Sequence, residues 1–122
     1  MATPFHINAQ TFTAPANADL STKQYYAVTI NSSGNAAVAG AASVMPYILG
    51  NKPTSGQAAE VMYAGVVPVI AGGTVAIGAS VKTDASGKAV SASTVNAAIG
   101  VAISGGASGE LINVNLFAHI AA

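Results

Sequence analysis

The sequence predicts an all-β fold: one small β-barrel or β-clip-like domain carrying an extended N-terminal arm. Three observations lead there. Bulky residues alternate with small or polar ones at Val75, Ile77, Ala79 and Val81, at Ile99, Val101 and Ile103, and at Ile112, Val114 and Leu116. Period-two alternation is the mark of strands with one buried face. Glycine-rich or Asn/Asp-led clusters cut these stretches at close intervals, as turns do. The chain has 122 residues, the size of one domain. Its apolar content includes 27 alanines against 26 valines, isoleucines and leucines together, so the core is modest and association with copies or a partner would add stability.

Residues 1–20 read as the arm and 21–122 as the body. In the arm Phe5, Ile7 and Phe12 are spaced among Thr, Asn, Gln, Ala and Pro. Pro4 and Pro15 oppose a helix there, and no turn pair folds the segment back. Two readings stand side by side: a frayed terminus, or an arm whose large side chains dock on a neighbouring subunit. Phe5, Ile7, Phe12 and Leu20 are the candidate anchors. Deleting residues 1–20 is then expected to leave a folded body.

The body opens on a strand around Tyr26, Val28 and Ile30, followed by the turn Asn31-Ser32-Ser33-Gly34-Asn35. Ala36 to Val44 is alanine-rich enough for a short helix but is broken by Gly40. Pro46 to Leu49 reads as a short strand ended by a polar loop through Gly56. Extended structure resumes at Glu60 to Tyr63 and again at Val66 to Ile70, where Pro68 suggests an edge strand or a bulge. Gly72-Gly73 turns the chain. Lys82 to Val90 is a hairpin turning at Asp84 and Gly87, and Ser91 to Ala98 a loop or single helical turn. Gly105 to Gly109 joins the last two strands, and Asn113 and Asn115 are expected on the wet side of the final one. About eight to ten short strands result, with no tandem repeat of 20 residues or more in evidence.

Composition excludes several function classes. Lys and Arg together number 4, Asp and Glu 4, and charged residues make up 7%, against about 25% in ordinary domains. Lys23, Lys52, Lys82 and Lys88 are too scattered to neutralise a run of phosphates, so no nucleic-acid partner is expected. Near-zero net charge favours self-association or a place in a larger assembly. The absence of cysteine removes disulfides and thiolate metal sites. Val61 to Val81 is uncharged and long enough to span a bilayer, but its glycines, Pro68 and alternation read as strands. No membrane partner is expected, and no basic-then-apolar leader opens the sequence.

No catalytic, cofactor or metal set emerges. His6 and His119 lie near opposite ends. Glu60, Asp84 and Glu110 offer no reason to pair any two as an acid and base. The glycines of Gly100 to Gly109 lack the Gly-Lys-Ser/Thr of a phosphate loop. Asn31-Ser32-Ser33 fits a glycosylation acceptor but is more simply a turn. Tyr25, Tyr26, Tyr47 and Tyr63 suit half-buried strand positions or a sugar-stacking surface. The expectation is a protein that is not an enzyme and needs no cofactor.

One resemblance adds to this. Gly65-Val66-Val67-Pro68-Val69-Ile70-Ala71-Gly72-Gly73, the hairpin Val81 to Val90, Ala98 to Ala102 and Gly109 to Val114 together resemble the head decoration (capsid cement) proteins of tailed bacteriophages. The likeness covers about residues 60–117 well and the first half loosely. It implies a compact non-catalytic β-fold on the outer surface of the virion's expanded capsid, a homotrimer stabilising the shell, with the major capsid protein as partner. It further implies synthesis in the host cytoplasm and an arm reaching neighbouring subunits. A carbohydrate- or receptor-binding module on a phage or bacterial surface is the alternative.

Overall fold

The computed structural model describes residues 7–41, 47–92 and 98–116. The strands among them are β1 (Ile7–Pro15), β2 (Ala27–Ile30), β3 (Ala36–Val38), β4 (Tyr47–Leu49), β5 (Ala58–Ile70), β6 (Ser80–Thr83), β7 (Ala89–Ser91), β8 (Gly100–Ala102) and β9 (Leu111–Leu116). They make one antiparallel sheet, ordered β3-β2-β4-β5-β9-β8-β6-β7 with β1 also on β5. The all-β, barrel-like domain read from the sequence is what forms.

The 13-residue β5 is the spine. In its first part Met62 faces Thr11 of β1 across one edge and Ile48 of β4 across the other. In its last part Val69 pairs with Ile112 of β9. Pro68 therefore sits inside a paired strand. Its partner Asn113 turns both backbone groups away: the N–H donates to Ser104 Oγ at 3.0 Å and the carbonyl accepts from Ile103 N–H at 2.7 Å. At that position β9 asks no N–H of Pro68, so proline costs no ladder bond. The irregularity lies earlier, where the β1 register shifts opposite the approach to Gly65, which has φ +98°.

The sheet is built twice. Asp84 stands 53 positions after Asn31 (84 − 31 = 53), and both lead the same turn. Asn31 Oδ1 accepts from Ser33 and Asn35 N–H, and Asp84 Oδ1 from Ser86 and Lys88 N–H, all at 2.8–3.0 Å. Gly34 and Gly87 close these turns at φ 80° and 82°. The same offset carries Ala27↔Ile48 onto Ser80↔Val101 and Leu49↔Val61 onto Ala102↔Val114. β1 on the first part of β5 corresponds to the last part of β5 on β9: Phe12↔Val61 matches Val67↔Val114, and Pro15↔Ala58 matches Ile70↔Leu111. Each half curls until its first strand meets its third through a parallel bridge, Ala16↔Ala36 in one and Ala71↔Ala89 in the other. Two half-barrels thus share one spine, and the repeat absent from the sequence reading is present in the backbone.

The cores follow the duplication. The first half encloses Ala16, Leu20, Val28, Ala36, Leu49, Ala59 and Val61. Their counterparts Ala71, Val75, Val81, Ala89, Ala102, Ile112 and Val114 all lie in the second, larger cluster. That cluster also takes in Ala27, Ala39, Ile48 and Met62 from the back of the first half. The second half-barrel is closed off by the first, and burying both faces of β4 and β5 holds the halves together. Such packing stabilises by about 25 cal/mol per Å² of apolar surface removed from water.

Several expectations give way to this geometry. Residues Ile7–Pro15 are extended, but they are a strand on the chain's own β5, and Ala14, Ala16 and Leu20 are core residues. Val75 to Val81 is not one strand. Ala79 N–H donates to Ala76 O around Gly78 (φ 84°), leaving Ile77 75% exposed. In β8 it is Gly100 and Ala102 that face inward while Val101 is half-buried, because Gly100 rests against the Asn115 backbone. Ile103 lies past the strand and is 46% exposed. Asn113 is buried, and only Asn115 of the pair is exposed. Of Ala36 to Val44, alanine-rich enough for a short helix, Ala36–Val38 is strand, and residues 42–44 lie outside the described residues.

Candidate interaction surface

Three of the four carboxylates serve turns and loops. Asp84 Oδ1 holds its own hairpin as described. Asp19 Oδ1 accepts from Ser21 N–H at 3.0 Å, and the Ser21 side chain and N–H hold its pKa below the ordinary carboxylate value. Glu110 Oε1 accepts from Ala107 N–H at 2.7 Å, which lowers its pKa likewise. Gln57, the counterpart of Glu110, does the same work with an amide, its Oε1 accepting from Thr54 N–H at 2.9 Å. A position where glutamine and glutamate are interchangeable is a loop clasp. Among the described residues no group of three His, Cys, Asp or Glu is placed to hold a metal ion. His6 and His119 lie outside the described residues.

The surface feature that stands out is aromatic. Tyr47 and Tyr63 occupy facing positions of β4 and β5, one step beyond the Ile48↔Met62 pair. Phe12 on β1 lies diagonally across from Tyr63, opposite Val61. The Phe12 and Tyr47 rings meet edge to face at 5.4 Å and 89°, and Phe12 and Tyr63 tilt together at 5.8 Å. Cross-strand aromatic contacts of this kind stabilise a sheet and fix ring orientation. Yet Phe12 remains 37% exposed and Tyr63 40%. The rings form a preset apolar surface at the open mouth of the first half-barrel. From Ile7 to Pro15, β1 contributes no charge to it.

The four proposed anchors separate. Phe5 lies outside the described residues, and Ile7 begins β1, paired with Val66. Phe12 is on the surface just described. Leu20 is 4% exposed in the first core, with no area left for a partner; its N–H donates to Pro53 O at 2.9 Å, pinning the segment down. Tyr47 and Tyr63 join Phe12, a grouping that strand register alone could have revealed. Tyr25 and Tyr26 do other work. Tyr25 packs against the larger core, and Tyr26 lies beneath the Lys23 and Lys88 ammonium groups at 4.9 and 5.8 Å.

A second exposed pair is aliphatic. Ile77 and Ile103 take the places that Gln24 and Gly50 hold in the first half. There Gln24 Nε2 donates to Gly50 O at 2.9 Å. A satisfied polar contact in one half is thus replaced by two exposed isoleucines in the other.

No family model matches the chain, and no curated protein matches it. Among solved structures it is similar to the head fiber gp8.5 N base of bacteriophage phi29, with a TM-score of 0.71 and 19% sequence identity. The match covers 91% of this chain and 96% of that one. At this identity the likeness is one of fold.

Proposed function

We propose that this chain is a structural protein of a phage virion, attached to the head. The observation that carries the reading is the match of nearly the whole chain, end to end, with the base of a head fiber. Composition supports it independently, since a chain with 7% charged residues and turn-bound carboxylates offers binding area and little acid–base chemistry. Its role is mechanical and non-catalytic.

In the finer form of this reading the chain sits on the outer surface of the expanded capsid and cements it as a homotrimer bridging major capsid protein subunits. Neutrality suits that task, because packed copies do not repel one another. A single apolar contact is modest, but three linked contacts act together and raise avidity by orders of magnitude. The test is to add purified protein to expanded heads lacking it, then heat them. Cementing requires binding at fixed stoichiometry and a higher temperature of DNA release. Binding with no change in release leaves attachment and removes the cement role; no binding removes both.

The exposed pair of tyrosines with Phe12 favours one second reading, a carbohydrate- or receptor-binding module in which rings stack on sugar faces. Glycan-array binding that is lost in Tyr63→Ala would favour it over the first.

A further inference from the structure

The duplication shows what kind of surface the aromatic mouth is built to receive. Phe12, Tyr47 and Tyr63 correspond to Val67, Gly100 and Leu116 of the second half. There the three positions are buried, and Val67 and Leu116 share their cluster with Ala27, Ala39, Ile48 and Met62 from the back of the first half. The same architectural position in one half thus lies within a buried cluster that also holds small and medium aliphatic side chains from an uncharged sheet face. In the other half it is open, and its aliphatic and glycine positions carry aromatic rings.

A second copy stacked head to tail would present the corresponding back of its second half. That face replaces Ala27 with Ser80, Ile48 with Val101 and Met62 with the exposed Asn115. Polar residues on the outer face of a terminal repeat act as a cap and stop an array from growing. Among the described residues one end carries polar side chains, and the other leaves Phe12 37% and Tyr63 40% exposed. We infer that the Phe12–Tyr47–Tyr63 mouth is the surface by which the chain docks on a different protein, and that the docked element is an uncharged β-sheet face of small aliphatic residues. Resting on the proposed attachment to a phage head, the inference assigns that face to the shell.

The chemistry is consistent with this. The rings are held against one another before any partner arrives, so little rotamer freedom is lost on docking. Aromatic side chains are the commonest interface anchors, and β1 brings no charge that docking would bury unpaired. Three rings are far less than the roughly 800 Å² per partner of a stable interface, so several copies must act together on one shell.

The experiment compares wild-type protein, the double variant Phe12→Ser/Tyr63→Ser and the control Ile77→Ser for co-sedimentation with expanded heads that lack the chain. Circular dichroism checks the fold, and sedimentation velocity the mass. Docking through the mouth requires a tenfold or greater loss of affinity in the double variant, unchanged mass and an unaffected control. Equal affinity in all three overturns it. A mass change confined to the double variant overturns it too, assigning the mouth to a second copy. Wild-type protein that does not bind heads overturns the head reading itself and the occupant with it. Should the double variant fail to fold, Tyr63→Lys places a charge on a ring position already 40% exposed, and retained affinity there refutes the inference.

Discussion

Gly34 and Gly87 make a matched experiment, because the duplication puts them at the same point of the same turn. Their φ values are 80° and 82°, so replacing either by alanine incurs the left-handed cost of about 1–2 kcal/mol. Their surroundings differ. A Cβ on Gly34 meets nothing within 4 Å, whereas one on Gly87 stands 2.7 Å from Val38 Cγ1 and 3.0 Å from the Ala27 carbonyl. The Gly87 carbonyl also accepts from Ala27 N–H at 2.7 Å, so the second hairpin is bonded directly onto the first half. Forcing a methyl into such a contact costs about 1–3 kcal/mol more. Gly34→Ala should lose about 1–2 kcal/mol and Gly87→Ala about 2–5 kcal/mol, against a total stability of roughly 5–15 kcal/mol. Urea unfolding at constant slope measures both, and the melting temperatures should separate by several degrees. Equal losses, within about 0.5 kcal/mol, would refute the claim that the halves interlock at this hairpin.

Two further outcomes follow from the same geometry. Removing residues 1–20 takes away β1 and the buried Ala14, Ala16 and Leu20, so the first half should lose cooperative unfolding rather than remain a folded body; calorimetry of the deletion decides. The Ala107 N–H holds the Glu110 pKa below its ordinary 4.5, so the stability it contributes is present above that pH and is lost as pH falls through the lower folded value. Glu110→Gln, which installs the side chain found at position 57, should melt slightly below wild type at pH 7 and show a shallower decline in melting temperature below pH 4.5. A steeper decline would contradict the assignment.

Strands and turns were legible because their signals are local. Asn31–Gly34 and Asp84–Gly87 are each a turn on side-chain and φ grounds alone. The duplication was hidden, since few identities such as Val28/Val81, Gly34/Gly87, Gly56/Gly109 and Val61/Val114 survive among many changes. What persists is backbone demand. The left-handed position filled by Gly78 at φ 84° is filled in the first half by Tyr25 at φ 69°. Tyr25 N–H donates to Leu49 O at 2.7 Å, as Gly78 N–H does to Ala102 O at 2.8 Å. A tyrosine standing in for glycine gives no sign in sequence of the conformation they share. Leu20 was misjudged for a related reason. Apolar spacing shows that a side chain seeks burial, but only topology shows that its own chain supplies the cover. Phe12 shares that spacing but stays 37% exposed, and its contacts with Tyr47 and Tyr63 depend on β1 and β4 lying on either edge of β5.

The central proposal is that this duplicated β-protein is a structural component on a phage head. Imaging heads assembled with and without it, by single-particle cryo-electron microscopy, tests this most directly. The account predicts added density of this fold at repeated positions on the outer surface, with the Phe12–Tyr47–Tyr63 mouth turned toward the shell. Identical heads in the two preparations, with the protein left in the soluble fraction, would contradict it.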